Sequence, residues 1–137
     1  MNATRREVRL LIVSDGDIVA ARQSGRALAE AIGCSPTDAT LVATAISEVV
    51  RNILTHAGEG EVVMTVVDHG RRCGLEVVAH DAGPGIADVE RAMEDGFSTG
   101  PGLGLGLPCA RRLMDEFEIA SEVAVGTTVT MRKWQSR

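Results

Sequence analysis

Glu48, Asn52 and His56 recur at intervals of four within an otherwise apolar stretch. At that spacing residues stack on one edge of a helix, a turn apart. A carboxylate, a carboxamide and an imidazole in one row, bordering an apolar face, exceed what solubility requires. Two glycine clusters follow, Asp81-Ala82-Gly83-Pro84-Gly85 and Gly100-Pro101-Gly102-Leu103-Gly104-Leu105-Gly106. Glycine accepts positive φ and lets another group approach the backbone where a Cβ would stand. The second cluster runs into Leu107 to Met114, which reads as a helix, and the unpaired N–H groups at a helix start suit an anion. Together the clusters read as the floor and lid of a phosphate or nucleotide site.

The elements that must hold these residues can be read in order. Val8–Val13 is a β-branched run and reads as a strand. Ser14-Asp15-Gly16-Asp17 breaks it and offers a cap for a helix over Ile18–Ile32, which Gly33 ends. Ser35 caps a second helix, with Pro36 at its first position and Asp38 three residues on. Its broad apolar face, from Leu41 to Leu54, runs on to Ala57-Gly58 and carries the Glu48–Asn52–His56 edge. Glu61–Val67 and Leu75–His80 read as a hairpin across Asp68–Gly74, and the second strand delivers Asp81 into the first glycine cluster. Ala87–Glu94 is a short helical stretch, and Asp95–Gly100 a polar loop. A helix from Leu105 to near Glu118 precedes a last hairpin, Ile119–Val125 and Thr127–Trp134. This order leaves few places for parallel crossovers. It predicts an α+β fold, a two-layer sandwich with a mixed, mostly antiparallel sheet and helices on one face.

Composition limits the partners. The 137 residues fit one domain, and a net charge of −5 gives no electrostatic footprint for nucleic acid. Phe97, Phe117 and Trp134 are the only aromatic residues, too few for base-stacking platforms. Cys34, Cys73 and Cys109 lack metal or disulfide spacing and read as small buried hydrophobes. No signal-like start or membrane-length apolar run is visible, so the expected setting is cytoplasmic, away from any membrane.

A P-loop is excluded because the single lysine, Lys133, lies far from any glycine cluster. Neither cluster has the dinucleotide-binding Gly-x-Gly-x-x-Gly spacing after a strand. Instead Glu48-Val49-Val50-Arg51-Asn52, Asp81-x-Gly83-Pro84-Gly85 and Gly102-x-Gly104-x-Gly106, in that order, resemble the N, G1 and G2 boxes of the GHKL (Bergerat-fold) ATPases. Met93 to Thr99, Asp17 to Gln23 and Arg112 to Phe117 further resemble the RsbT-type switch kinases of bacterial stress signalling. The resemblance covers nearly the whole chain and implies one ATP-binding kinase domain over residues 1–137.

The resemblance implies a role for each matching residue. Asn52 would coordinate Mg²⁺ through its side-chain oxygen, a hard donor for a hard ion. Glu48 would orient or deprotonate the attacking hydroxyl. Asp81 would accept from the adenine amino group, which a carboxylate favours over guanine's carbonyl. Gly83 and Gly85 would let the backbone pass the base. Gly102, Leu103, Gly104, Leu105 and Gly106 would wrap the phosphates with main-chain N–H groups. Ser98 and Thr99 belong to a lid that orders over ATP, and Thr128 matches a threonine that helps hold adenine. Arg51 is read as the partner in an ion pair and His56 as structural.

No dimerisation helix bearing a phosphorylatable histidine is legible in these residues, so the acceptor is expected on another protein. The resemblance implies a serine or threonine on a STAS-domain partner of a stressosome, and exchange of the kinase with a PP2C-type phosphatase. Two other readings stay open: an anti-sigma factor of the RsbW or SpoIIAB type that binds a sigma factor, and a nucleotide-gated binding module with vestigial kinase activity. An intact Glu48 argues against the last.

Overall fold

The computed structural model describes residues 7–87, 89, 93 and 106–135. Strand β1 spans Glu7–Ile12, helix α1 Gly16–Ala31 and helix α2 Pro36–His56. Strands β2 and β3 span Gly60–His69 and Arg72–Asp81. Helix α3 covers Gly106–Leu113, followed by β4 over Glu116–Glu122 and β5 over Gly126–Trp134. The five strands form one open sheet in the order β1-β2-β3-β5-β4. Every pairing between them is antiparallel.

The alternation of side chains across a strand sorts the sheet into two faces. One cross-strand row is Val8, Met64, Val77, Met131 and Phe117, and the next is Leu10, Val62, Ala79, Val129 and Ile119. These rows are part of the core that includes Val42, Ile46, Val49, Val50 and Ile53 of α2. Each such side chain, fully buried, contributes about 1.5–3 kcal/mol. The opposite rows carry Glu7, Thr65, Glu76, Arg132 and Glu116, a charged and polar face.

Helix α2 starts as its sequence dictates. Ser35 Oγ accepts the Asp38 N–H at 3.0 Å, with Pro36 in the first turn. It ends where Ala57 and Gly58 both donate to the Ile53 carbonyl, Gly58 lying at φ +85°. Helix α1 lies close against it: a Cβ on Gly25 would overlap the Ile46 side chain. The cap of α1 differs from the expected one. Asp15 occupies the cap position without a side-chain bond, and the Asp17 carboxylate reaches back to the Val13 and Ser14 N–H groups at 2.9 and 3.0 Å.

Two boundaries depart from the expected ones. The β2–β3 connection is only Gly70-Arg71, because His69 and Arg72 still pair and Gly70 takes φ +66°. Helix α3 ends at Leu113 rather than near Glu118. Glu116 to Glu122 alternates exposed and half-buried with period two, the pattern of an edge strand, and Asp115 already bonds β5. Of the short helical stretch expected over 87–94, Ala87, Val89 and Met93 are described, with the Met93 N–H bonded to the Val89 carbonyl.

Candidate nucleotide site

Asp81 is the last residue of β3 and only 5% exposed. Its Oδ1 accepts the Gly83 N–H at 2.9 Å, an Asx turn that swings the chain off the sheet. Gly83 passes the end of α2 so closely that a Cβ there would stand 2.5 Å from the Ala57 Cβ. Gly85 takes φ +77°, and a Cβ on it would overlap the Glu122 carbonyl oxygen. This first glycine cluster is therefore shaped by contact with α2 on one side and the β4–β5 turn on the other.

The turn is stitched to the cluster by hydrogen bonds. Ala124 N–H donates to the Pro84 carbonyl at 2.8 Å, and Ile86 N–H to Ser121 Oγ at 2.7 Å. Gly126, at φ +143°, lies so near that a Cβ would overlap the Asp81 carbonyl oxygen. The next residue, Thr127, is the register partner of Asp81 and is likewise 5% exposed. Its Oγ1 lies 2.8 Å from Ser121 Oγ.

Thr128 faces the other way. It belongs to the row of Glu61, His80 and Ala120 on the face away from the helices, and its Oγ1 is 2.8 Å from His80 Nδ1. The structure therefore does not bring Thr128 to Asp81; the threonine beside that carboxylate is Thr127. Counting the strand alternation from Asp81 through the β3–β5 pairing would have found it, but the register is not written in either strand alone. Ser121 was missed for the same reason.

Glu48 and Asn52 stand on successive turns of α2, both half-buried. The Glu48 carboxylate, its side chain 19% exposed, pairs with Arg51 Nη1 at 3.3 Å, the ion pair expected for that arginine. His56, in the last turn, is exposed. Asp81, Ala82 and Gly83 border an open cleft of about 750 Å³ together with Ala57 to Glu61, Leu11, Val13 and His80; Leu11, Glu61 and His80 belong to the sheet face away from the helices. Neither Glu48 nor Asn52 lines it; Asn52 lies five residues, about 7.5 Å of helix rise, before Ala57. Of the second cluster only Gly106, at the start of α3, is described. Ser98, Thr99, Gly102, Leu103, Gly104 and Leu105 lie outside the described residues.

Among the described residues no group of three His, Cys, Asp or Glu side chains could hold a metal. Mg²⁺ usually keeps waters and phosphate oxygens and takes one or two oxygens from the protein; the side-chain oxygen of Asn52, half-buried on α2, is a hard donor of that kind.

A buried carboxylate thus closes a central strand, on a glycine turn packed against the end of α2 and the β4–β5 turn. The family model for the histidine kinase-like ATPase domain matches residues 14–133. The chain belongs to that family. Bacillus subtilis serine/threonine-protein kinase RsbT is 48% identical over 124 residues, covering 90% of this chain and 92% of that protein. At that likeness the chain is an RsbT-type member of the family, the serine/threonine-protein kinase branch. An anti-sigma F factor of Halalkalibacterium halodurans is 34% identical over 99 residues, 69% of this chain and 68% of that protein.

Solved structures bear out the fold alone. The mycobacterial sensor histidine kinase MprB superposes with a TM-score of 0.55 at 18% identity, covering 98% of this chain and all of that one. The catalytic domain of histidine kinase ThkA gives 0.54 at 17%, over 92% and 95% of the two chains. No helix among the described residues is long and apolar enough to cross a membrane.

Proposed function

We propose that the chain, acting as one domain, transfers the γ-phosphoryl group of ATP to a serine or threonine of a STAS-domain protein, and so switches its own partner between that protein and a PP2C-type phosphatase. The observation that carries the nucleotide part is the buried Asp81 carboxylate at the end of β3, set against Gly83 and Thr127. Asp81 accepts from the adenine amino group, and Thr127 takes the position beside the base first given to Thr128. Gly83 and Gly85 let the backbone pass beside the base while packed against α2 and the β4–β5 turn. Asn52 would hold Mg²⁺, which would supply charge neutralisation on the phosphates. Gly102, Leu103, Gly104, Leu105 and Gly106 contribute main-chain N–H groups to the phosphates, with Ser98 and Thr99 in the lid.

Phosphoryl transfer needs positioning and charge neutralisation more than covalent chemistry from the protein. Glu48 takes the proton from the acceptor hydroxyl as its oxygen bonds to the γ-phosphorus. The bond from that phosphorus to the β–γ bridging oxygen breaks, and ADP leaves.

The test is calorimetric titration with ATP, with and without Mg²⁺, of the wild type and Asp81→Asn. Saturable, Mg²⁺-assisted binding, weakened by the substitution, is expected. A folded wild type that binds no ATP would remove the kinase reading. The similarity to anti-sigma F factors over two thirds of the chain supports a second reading, direct binding of a sigma factor; pull-down with purified sigma factor against a STAS protein separates the two.

A further inference from the structure

Ser121 sits on β4 directly opposite Thr127, which in turn sits opposite Asp81. Three polar side chains on three adjacent strands thus form one row at the helix-covered end of the sheet. Ser121 Oγ has three neighbours: it accepts from Ile86 N–H at 2.7 Å, and it lies 3.2 Å from the Gly126 carbonyl and 2.8 Å from Thr127 Oγ1.

A hydroxyl has one hydrogen and two lone pairs. The Ile86 N–H occupies one lone pair. If the Ser121 hydrogen points to the Gly126 carbonyl, the second lone pair receives the Thr127 hydrogen, and all three contacts become hydrogen bonds. If it points instead to Thr127, the Gly126 contact is lost and the Thr127 hydrogen needs another acceptor. The first arrangement satisfies more of these part-buried groups and is favoured on that ground. It turns the lone pairs of Thr127 away from Ser121, on the face it shares with Asp81.

We infer that Ser121 is a positioning residue for base selectivity, one that acts through Thr127; this rests on the ATP reading above. With its hydrogen committed to Ser121, Thr127 is an acceptor, like the Asp81 carboxylate beside it. Two acceptors suit a base that presents an amino group there, directly or through a water. They disfavour a base that presents a carbonyl at the same place, as hypoxanthine and guanine do. Without Ser121, the Thr127 hydroxyl is free to rotate and donate, and that discrimination weakens.

The experiment compares the affinities of the full chain for ATP and inosine triphosphate, which differ at this position in having an amino group or a carbonyl. Wild type, Ser121→Ala, Ser121→Thr, Thr127→Val and the Ser121→Ala/Thr127→Val pair are titrated. Ser121→Ala is expected to cut the preference for ATP about tenfold, the scale of one buried hydrogen bond. Ser121→Thr is expected to restore it, and Ser121→Ala to change it no further once Thr127 is valine. Equal weakening of both nucleotides in Ser121→Ala would mean a merely structural role and overturn the inference. Should that variant not fold, Thr127→Val carries the test, since an undiminished preference there also overturns it. A wild type that binds neither nucleotide overturns the ATP reading and the inference with it. A wild type that prefers ATP, with both variants keeping that preference, overturns the inference alone.

Discussion

Asp81 and Thr127 pair in register across β3 and β5, on the helix-covered face, each 5% exposed. Between them the backbone is so close that the residue preceding Thr127 must be glycine. This pairing joins the first glycine cluster to the last hairpin and sets Thr127, not Thr128, beside Asp81.

Thr127→Val is therefore expected to weaken ATP binding about tenfold, the effect of one buried hydrogen bond. Thr128→Val removes only the contact to His80 on the far face and is expected to leave ATP affinity within about twofold. Parallel titrations of the two variants check this, and the reverse order would return the role to Thr128.

Glu48→Ala is expected to retain ATP binding and slow phosphoryl transfer to a STAS-domain substrate about 10²-fold or more. Asn52→Ala should keep the fold, seen in an unchanged circular dichroism spectrum, and abolish Mg²⁺-dependent transfer. Radiolabelled phosphate incorporation reads both; wild-type rates in either variant would withdraw its assigned role.

Two neighbouring residues should respond in opposite directions to exchange of glycine and alanine. Gly126→Ala must clear the Asp81 carbonyl at φ +143°, and is expected to cost about 2 kcal/mol or more. Ala124 holds φ +68° without being glycine, a conformation that costs an L-residue about 1–2 kcal/mol. Ala124→Gly recovers that, less the extra freedom glycine has when unfolded, for a net gain of about 0.5 kcal/mol. Urea denaturation of both variants measures the pair.

Asp17 gives the fold an acid-sensitive point. The N–H groups of Val13 and Ser14 hold its carboxyl below the usual range, and the Ser14 hydroxyl adds to them. A carboxyl depressed in the folded state contributes stability above its unfolded pKa and loses that contribution as pH falls through the folded one. Asp17→Asn is thus expected to lower Tm at pH 7 and to converge with the wild type as both are acidified from about pH 5 to pH 2. Parallel Tm curves across that interval would show that the carboxylate charge is not what matters.

Local signals marked most of the frame. Ser35-Pro36 and Gly58 bound α2 because capping is written in a few adjacent residues, and the β-branched runs mark β1, β2 and β3. What was not legible depends on pairing between distant segments. Arg112 to Phe117 reads as one helix until β5 offers the Trp134 N–H to Asp115, at 2.8 Å, and Lys133 beside it. Gly74 reads as a loop glycine, yet it is a buried strand residue whose missing Cβ makes room for the Trp134 ring. The contact between Thr127 and Ser121 belongs to the same class, set by register rather than composition. The placing of Glu48 and Asn52 on one edge of α2, and of Asp81 at the end of β3, was legible because Glu48 and Asn52 share one short motif and Asp81 opens another.

The strand order β1-β2-β3-β5-β4 also bears on how the molecule is made. The strand synthesised last of the five is an internal one. During translation β4 emerges before the strand it will pair with, and β3 keeps an open edge until β5 inserts between them. Until then Asp81 lacks Thr127 beside it, and Gly126 has not yet reached its carbonyl. A ribosome-bound chain stopped before Gly126 would carry Glu48, Asn52 and Asp81 yet lack the Asp81–Thr127 pairing and the Gly126 contact, so the proposed base-binding end of the sheet is completed only when β5 closes it.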